Sequence, residues 1–229
     1  MPTTALFLFD LHCGGTTAVC TPDVLLPDEG VYKASAPQLW LLECYKTMWR
    51  EFKDLQRPGD DTLVVFGGDE LDGGRRWAGQ RIAGGNMAVQ RQIFYDLLDI
   101  GLEISGPVDG MMFVAGTPFH AGTDAEDEWE IAGRVGAIYS RKKPVADKWN
   151  VKINGVHLWV QHHAWGSQRP WTKGANANRM AAGIIAQQGE RNWPIPDLVL
   201  CGHQHIVSDT GETFMKPRVI ISPAFQLMT

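Results

Sequence analysis

No apolar run in the sequence approaches the roughly 18 residues that a membrane-spanning helix needs, which argues against an integral membrane protein. The opening MPTTALFLFDLH has neither a basic segment nor a cleavage site, so it does not read as a secretory signal. Cysteine is scarce. The 4 present, Cys13, Cys20, Cys44 and Cys201, show no CxxC spacing, and without an export signal they read as free thiols. Positive charge is in deficit: a net charge of -5 leaves no general footprint for nucleic acid, although a local basic groove stays open. Internal repeats and low-complexity segments are absent. What remains is an ordinary globular composition, 44% hydrophobic and 21% charged over 229 residues. That length fits one α/β domain over 1–229, large enough to bury a core without covalent staples.

Ala5 to Phe9 form an apolar run of strand character, buried on both faces as inside an α/β sheet. A Gly-, Thr- and Pro-rich loop follows over 13–37, long enough to serve as a lid or site wall. Leu39, Leu42, Tyr45, Trp49, Phe52 and Leu55 recur every three or four residues and predict an amphipathic helix. TLVVF and MMFVA read as buried strands, with a helix over about 86–100 between them. The acids of TDAEDEWE crowd the start of a helix near 128–139, where carboxylates favour an N-terminus. WNVKINGVHLWVQ predicts a hairpin with a type I′ turn at Asn154-Gly155. A helix over about 176–188 and strands LVLC and RVIIS follow; the stop at SPAFQLMT, just past a strand, suggests a missing tail. Strands alternate with helices early and become hairpin-like later. The expected fold is α/β (α+β), two packed mixed β-sheets flanked by helices.

Each buried strand runs into a glycine or a turn and then presents residues able to hold a metal. They are DLH (Asp10, His12), GGDELD (Asp69, Asp72), GTPFH (Thr117, His120), HH (His162, His163) and GHQH (His203, His205). These places hold all of the 7 histidines but His157, which sits in the hairpin and reads as structural. Asp10 and His12, two apart, share one side of an extended segment. A buried unpaired carboxylate is costly, so they pair with each other or with a cation between them. Ligands of α/β sheets bind beyond the carboxyl ends of strands, where all five motifs fall.

The ordered set D-x-H, G-D-x-x-D, G-x-x-x-H, H and G-H-x-H resembles the calcineurin-like metallophosphoesterase family over nearly the whole chain. The resemblance implies that family's fold and two divalent cations. Asp10, His12 and His205 would hold one cation, His162 and His203 the other, and Asp69 would bridge them; His163 is the alternative to His162. This mixed oxygen and nitrogen set suits Mn, Fe, Zn, Ni or Co rather than a hard Mg or Ca cage. The implied reaction hydrolyses a phosphomonoester or phosphodiester through a hydroxide bridging two metals about 3.5–4 Å apart. His120 would protonate the leaving oxygen, and Asp72 would orient a ligand from behind.

The third motif departs from the family's G-N-H-D or G-N-H-E and is similar to variants among phage-related members. Thr117 stands where an asparagine would bind the second cation, so that cation is expected to be looser or to recruit Asn86 or Asp124. Arg75, Arg76, Arg169 and Lys173 adjoin the motifs and suit phosphate. Trp77, Trp165 and Trp171 are placed to stack on a base. SRKKP, Ser140 to Pro144, reads as a solvated turn. The expected partner is a phosphorylated small molecule or a nucleic acid in the cytoplasm, a host's cytoplasm for a phage product. The rival readings are a nuclease on DNA or RNA and a binding module of the same fold without catalysis.

Overall fold

Apolar runs and periodic helix faces in the sequence become, in order, β1 (Thr3–Leu8), β2 (Asp23–Leu25), β3 (Val31–Lys33), α1 (Ala36–Leu55), β4 (Asp61–Phe66), α2 (Met87–Ser105), β5 (Gly110–Val114), α3 (Pro118–Ala121) and α4 (Glu126–Arg134). The second half adds β6 (Val145–Ala146), β7 (Lys148–Ile153), β8 (Val156–Gln161), α5 (Asn176–Glu190), β9 (Leu198–Cys201), β10 (Ser208–Asp209) and β11 (Arg218–Ile221). The structure is a computed structural model describing residues 2–74, 81–166 and 172–227.

Two sheets form, with helices on their outer faces. The first has the order β1-β4-β5-β6 and is parallel throughout rather than mixed. The helices between its strands carry the chain back across the sheet each time, which is what parallel pairing requires. The second sheet, β10-β11-β9-β8-β7, is mixed: β8, β9 and β11 run parallel while β7 and β10 are antiparallel edges. The β7–β8 turn carries Asn154 at φ 52° and Gly155 at φ 84°, the paired positive values of a type I′ turn.

Side chains alternate along each central strand and so feed separate layers. Phe9, Val65, Met112 and Val114 of the first sheet meet Trp149, Leu158, Val160 and Leu200 of the second. On the opposite face of the first sheet, Leu8, Phe66 and Phe113 pack against Trp49 of α1, Phe94 of α2 and Ile131 of α4. Trp159, Val199, Cys201 and Val219 cover Met180 and Ile184 of α5. The result is a helix–sheet–sheet–helix sandwich.

The stretch 13–37, expected as open loop, holds the β2–β3 hairpin. Helix α4 starts two residues earlier than expected and stops at Arg134, because Gly136 turns to φ 72°. α1 and α2 approach closely at Gly101, where a Cβ would overlap the ring of the fully buried Trp49. Gly101→Val is expected to push the helices apart and to cost about 2–3 kcal/mol, the upper part of the overpacking range. A urea unfolding midpoint unchanged from the parent would show the contact to be slack.

Candidate metal centre

The five motifs lie at the carboxyl ends of β1, β4, β5, β8 and β9. β1 and β4 pair in register to Leu8 and Phe66, and their loops stay side by side beyond it. Asp10 N–H donates to Gly68 O at 3.1 Å, His12 N–H to Asp69 O at 3.0 Å and Cys13 N–H to Glu70 O at 2.8 Å. That keeps the first two motifs together. The candidate ligand residues do not have the extended conformation expected from the D-x-H spacing. The strand ends at Leu8, and Asp10, His12, Asp69, His203 and His205 all adopt φ between 47° and 71°. Left-handed conformations at non-glycine residues cost energy and concentrate at functional sites. Here they turn successive side chains inward from a loop that is reversing direction.

Glycine is required where a carboxylate must come close to a neighbouring backbone. A Cβ on Gly202 would overlap Asp10 Oδ2, and one on Gly116 would overlap Asp69 Oδ1. Asp10 Oδ2 accepts the His203 N–H at 2.8 Å, joining the first strand loop to the GHQH loop.

Among the described residues, three groups bring ligand atoms within 4.8 Å of one another: Asp10, His12 and His205; Asp69, His162 and His203; and His12, Asp69 and His120. The first two contain the residues that the family resemblance implies for the two cations, and Asp69 and His12 tie the groups together. His12 Nε2 and His205 Nε2 face each other at 3.0 Å. Asp10 Oδ1 is buried with no hydrogen-bond partner. It lies 3.5 Å from His205 Nε2, 3.7 Å from His12 Nε2 and 3.9 Å from His162 Nε2. His162 Nε2 is 3.0 Å from Asp69 Oδ2 yet outside hydrogen-bonding geometry. Buried polar atoms are normally paired, so unpartnered donors and acceptors aimed at common points fit divalent cations. The mixed O/N donor set is one that Mn, Fe, Zn, Ni or Co accepts.

The far nitrogens are also arranged. His162 Nδ1 lies 2.9 Å from Gly67 O, and His120 Nδ1 lies 2.8 Å from Asp72 O. A carbonyl oxygen only accepts, so both Nδ1 atoms carry a proton and Nε2 is the nitrogen left to bind a cation. Asp72 Oδ1 stands 3.6 Å from His12 Nδ1, while its Oδ2 accepts from Arg81 Nε at 2.8 Å. Asp72 therefore sits beside Nδ1 of His12 and of His120, and the buried Arg81 holds it.

Electrostatics follow from this crowding. Burial pushes Asp10 up, but His12 and His205 outweigh it and hold the carboxyl well below its usual range. Asp69 ends at about 2, since His162 and His12 overcome the effect of burial. Burial disfavours the imidazolium of His12 and His162, yet the neighbouring aspartates raise them to about 10 and about 9. His203 falls to about 4 through burial and the nearby His162 and His163. Burial also lowers His120 and His163.

His163 is exposed and belongs to none of the three groups; its ring centroid lies 4.8 Å from that of His203. Thr117 does not project as a free ligand. Its N–H donates to Asp69 Oδ1 at 2.6 Å, and its hydroxyl is 3.1 Å from each Asp69 oxygen. Asn86 instead caps α2, its Oδ1 accepting from the Ala88 and Val89 N–H groups, and the exposed Asp124 joins no ligand group. Arg75, Arg76, Arg169, Trp77, Trp171 and the side chain of Lys173 lie outside the described residues. The exposed Trp165 has one ring edge against Gly183 of α5.

No family model and no curated protein matches the sequence. Among solved structures, sulfate thiohydrolase SoxB of Thermus thermophilus, in complex with glycerol, aligns with 98% of this chain and 52% of its own, at 13% identity and a TM-score of 0.44. The chain spans about half the length of that protein.

Two further acids, Glu70 and Glu128, carry no distinguishing signal in the sequence. Both are buried beside Asp69. Glu128 belongs to an acidic first turn in which Glu126 and Asp127 stay partly or fully in solvent, and nothing in the run of letters separates it from them.

Proposed function

We propose that the protein is a metal-dependent hydrolase acting on phosphate esters. The reading is carried by the convergence of Asp10, His12, Asp69, His162, His203 and His205 from four strand ends on adjacent groups of ligand atoms, in the motif order of the calcineurin-like metallophosphoesterases. Asp10, His12 and His205 would hold one divalent cation and His162 and His203 a second, with Asp69 between them. Bound there, the cations would lower the pKa of water and offset charge on the phosphoryl oxygens.

The chain's own groups do the rest. Gly67 O and Asp72 O hold Nδ1 of His162 and of His120, so that Nε2 of each faces inward. His120 holds its Nδ1 proton against Asp72 O and presents Nε2 to the cluster, where it can hand a proton to a leaving oxygen. Burial disfavours its imidazolium; a phosphate dianion placed beside it draws its pKa back up.

The test is turnover of bis-p-nitrophenyl phosphate, p-nitrophenyl phosphate, an alkyl phosphate ester and a single-stranded oligonucleotide by Mn-loaded protein. No hydrolysis of any of them, with Mn bound, would sink the reading. His120→Gln is expected to slow the alkyl ester by about 10²-fold or more. The p-nitrophenyl esters, whose leaving group needs no proton, should change little. Equal losses on both would remove His120 from the proton-donor role.

A further inference from the structure

Helix α4 reaches the cluster through one side chain. Glu128 is fully buried, and its two oxygens take two backbone donors from different motifs. Oε1 accepts the Asp69 N–H at 2.9 Å, and Oε2 accepts the Gly116 N–H at 2.9 Å. Gly116 precedes Thr117, whose N–H and hydroxyl both bind the Asp69 carboxylate. A closed circuit results: Glu128 to the Asp69 backbone, Asp69 side chain to Thr117, and Gly116 back to Glu128. Beside it, buried Glu70 accepts the Gly68 N–H at 2.7 Å through Oε1, and its Oε2 has no hydrogen-bond partner.

From this circuit we infer that Glu128 is a positioning residue, a clamp that locks the loops after β4 and β5 together and so aims the Asp69 carboxylate at the cations. The inference rests on the assignment of Asp69 to the cation site. Two acceptor atoms facing two N–H groups are something a carboxyl side chain supplies and an amide does not, because the amide nitrogen is a donor. Burying an N–H against an N–H leaves both unpaired and opens one side of the clamp. Asp69 must adopt φ 55°, a conformation that relaxes unless its surroundings over-determine it. The rest of the acidic turn has other tasks: Asp127 and Glu130 pair with Arg91 of α2 at 2.9 and 3.1 Å.

The test compares Mn(II) affinity by calorimetry in the parent, E128Q and the surface control E130Q, and records the visible spectrum of each loaded with Co(II). E128Q is expected to bind Mn(II) about 10–100-fold more weakly, the usual cost of losing a group that supports a ligand, with an altered Co(II) spectrum. E130Q should match the parent. A merely structural role would lower the melting temperature of chelated E128Q and leave the affinity and spectrum of the folded protein alone, which would overturn the inference. If the parent binds no Mn(II), the site assignment fails instead, and the positioning role fails with it. Should E128Q not fold, hydrogen exchange of the parent in chelator decides: slow exchange at the Asp69 and Gly116 amides supports the clamp, and rapid exchange overturns it.

Discussion

Asp69→Asn is expected to lower phosphoester turnover by at least about 10²–10³-fold while the chain stays folded. The carboxylate is shared in a way that an amide cannot copy. Thr117 N–H binds Oδ1, the Thr117 hydroxyl lies 3.1 Å from each oxygen, and His162 Nε2 stands 3.0 Å from Oδ2. An asparagine would keep its single oxygen on Thr117 and turn its NH₂ toward His162, tying up the lone pair that a cation needs. It also removes a negative charge held at a pKa of about 2 and therefore fully present at neutral pH. Turnover of bis-p-nitrophenyl phosphate and bound Mn per chain are the measurements. Activity within tenfold of the parent would exclude Asp69 from the chemistry.

Mn(II) at about a thousand times its dissociation constant should add about 4 kcal/mol of stability. For a chain of this length that is a rise of roughly 8–16 °C in melting temperature. Binding should also expel protons. His12 and His162, at about 10 and about 9, are both protonated at pH 7 without a cation, and each must give up the proton on Nε2 to become a ligand. About two protons per chain should therefore be released, read by calorimetry in buffers of different ionisation enthalpy. The stability of the cation-free protein follows the same groups. Raised imidazoles contribute fully below their unfolded value of about 6.5, and the contribution is lost as pH climbs through about 9 to 10. The depressed Asp69 works oppositely: its contribution is present above about 3.9 and is lost as pH falls toward about 2. Thermal melts from pH 4 to 10 in chelator should fall above neutrality, whereas Mn-loaded protein should not. A flat profile in chelator would mean that the histidine–aspartate contacts contribute little.

The strong signals in the sequence were the long ones. Leu39 to Leu55 repeats often enough to fix a helix, and the strand runs are apolar on both faces because both faces are covered. β6 and β10, two residues each, have no period to detect, and only their neighbours make them strands. The motif residues were legible because their types are unusual at strand ends. Their approach is not the extended one that the spacing implies: Asp10 and His12 converge through left-handed turns. Thr117 could be recognised as a departure but not as a donor to Asp69, since its direction is set by Gly116 and the residues around it. Glu128 and Arg81 were hidden for another reason. Acids in a first helical turn and arginines in loops are usually solvated, and only packing reveals the ones that turn inward.

The cluster straddles two separate sheets. Asp10, His12 and Asp69 hang from one, His162, His203 and His205 from the other, and between the sheets lies an apolar seam of Met112, Val114, Trp149 and Leu158. Grease has no preferred angle, so the seam holds the halves together without specifying their relative tilt. Polar bonds between the sheets add direction: Asp10 to the His203 amide and His162 to Gly67 O at the site, Trp149 Nε1 to Phe113 O within the seam, and Asn154 to Thr3 at the far edge. Cations gripped from both sides would act as the final rivets, making docking of the two sheets and assembly of the site a single event.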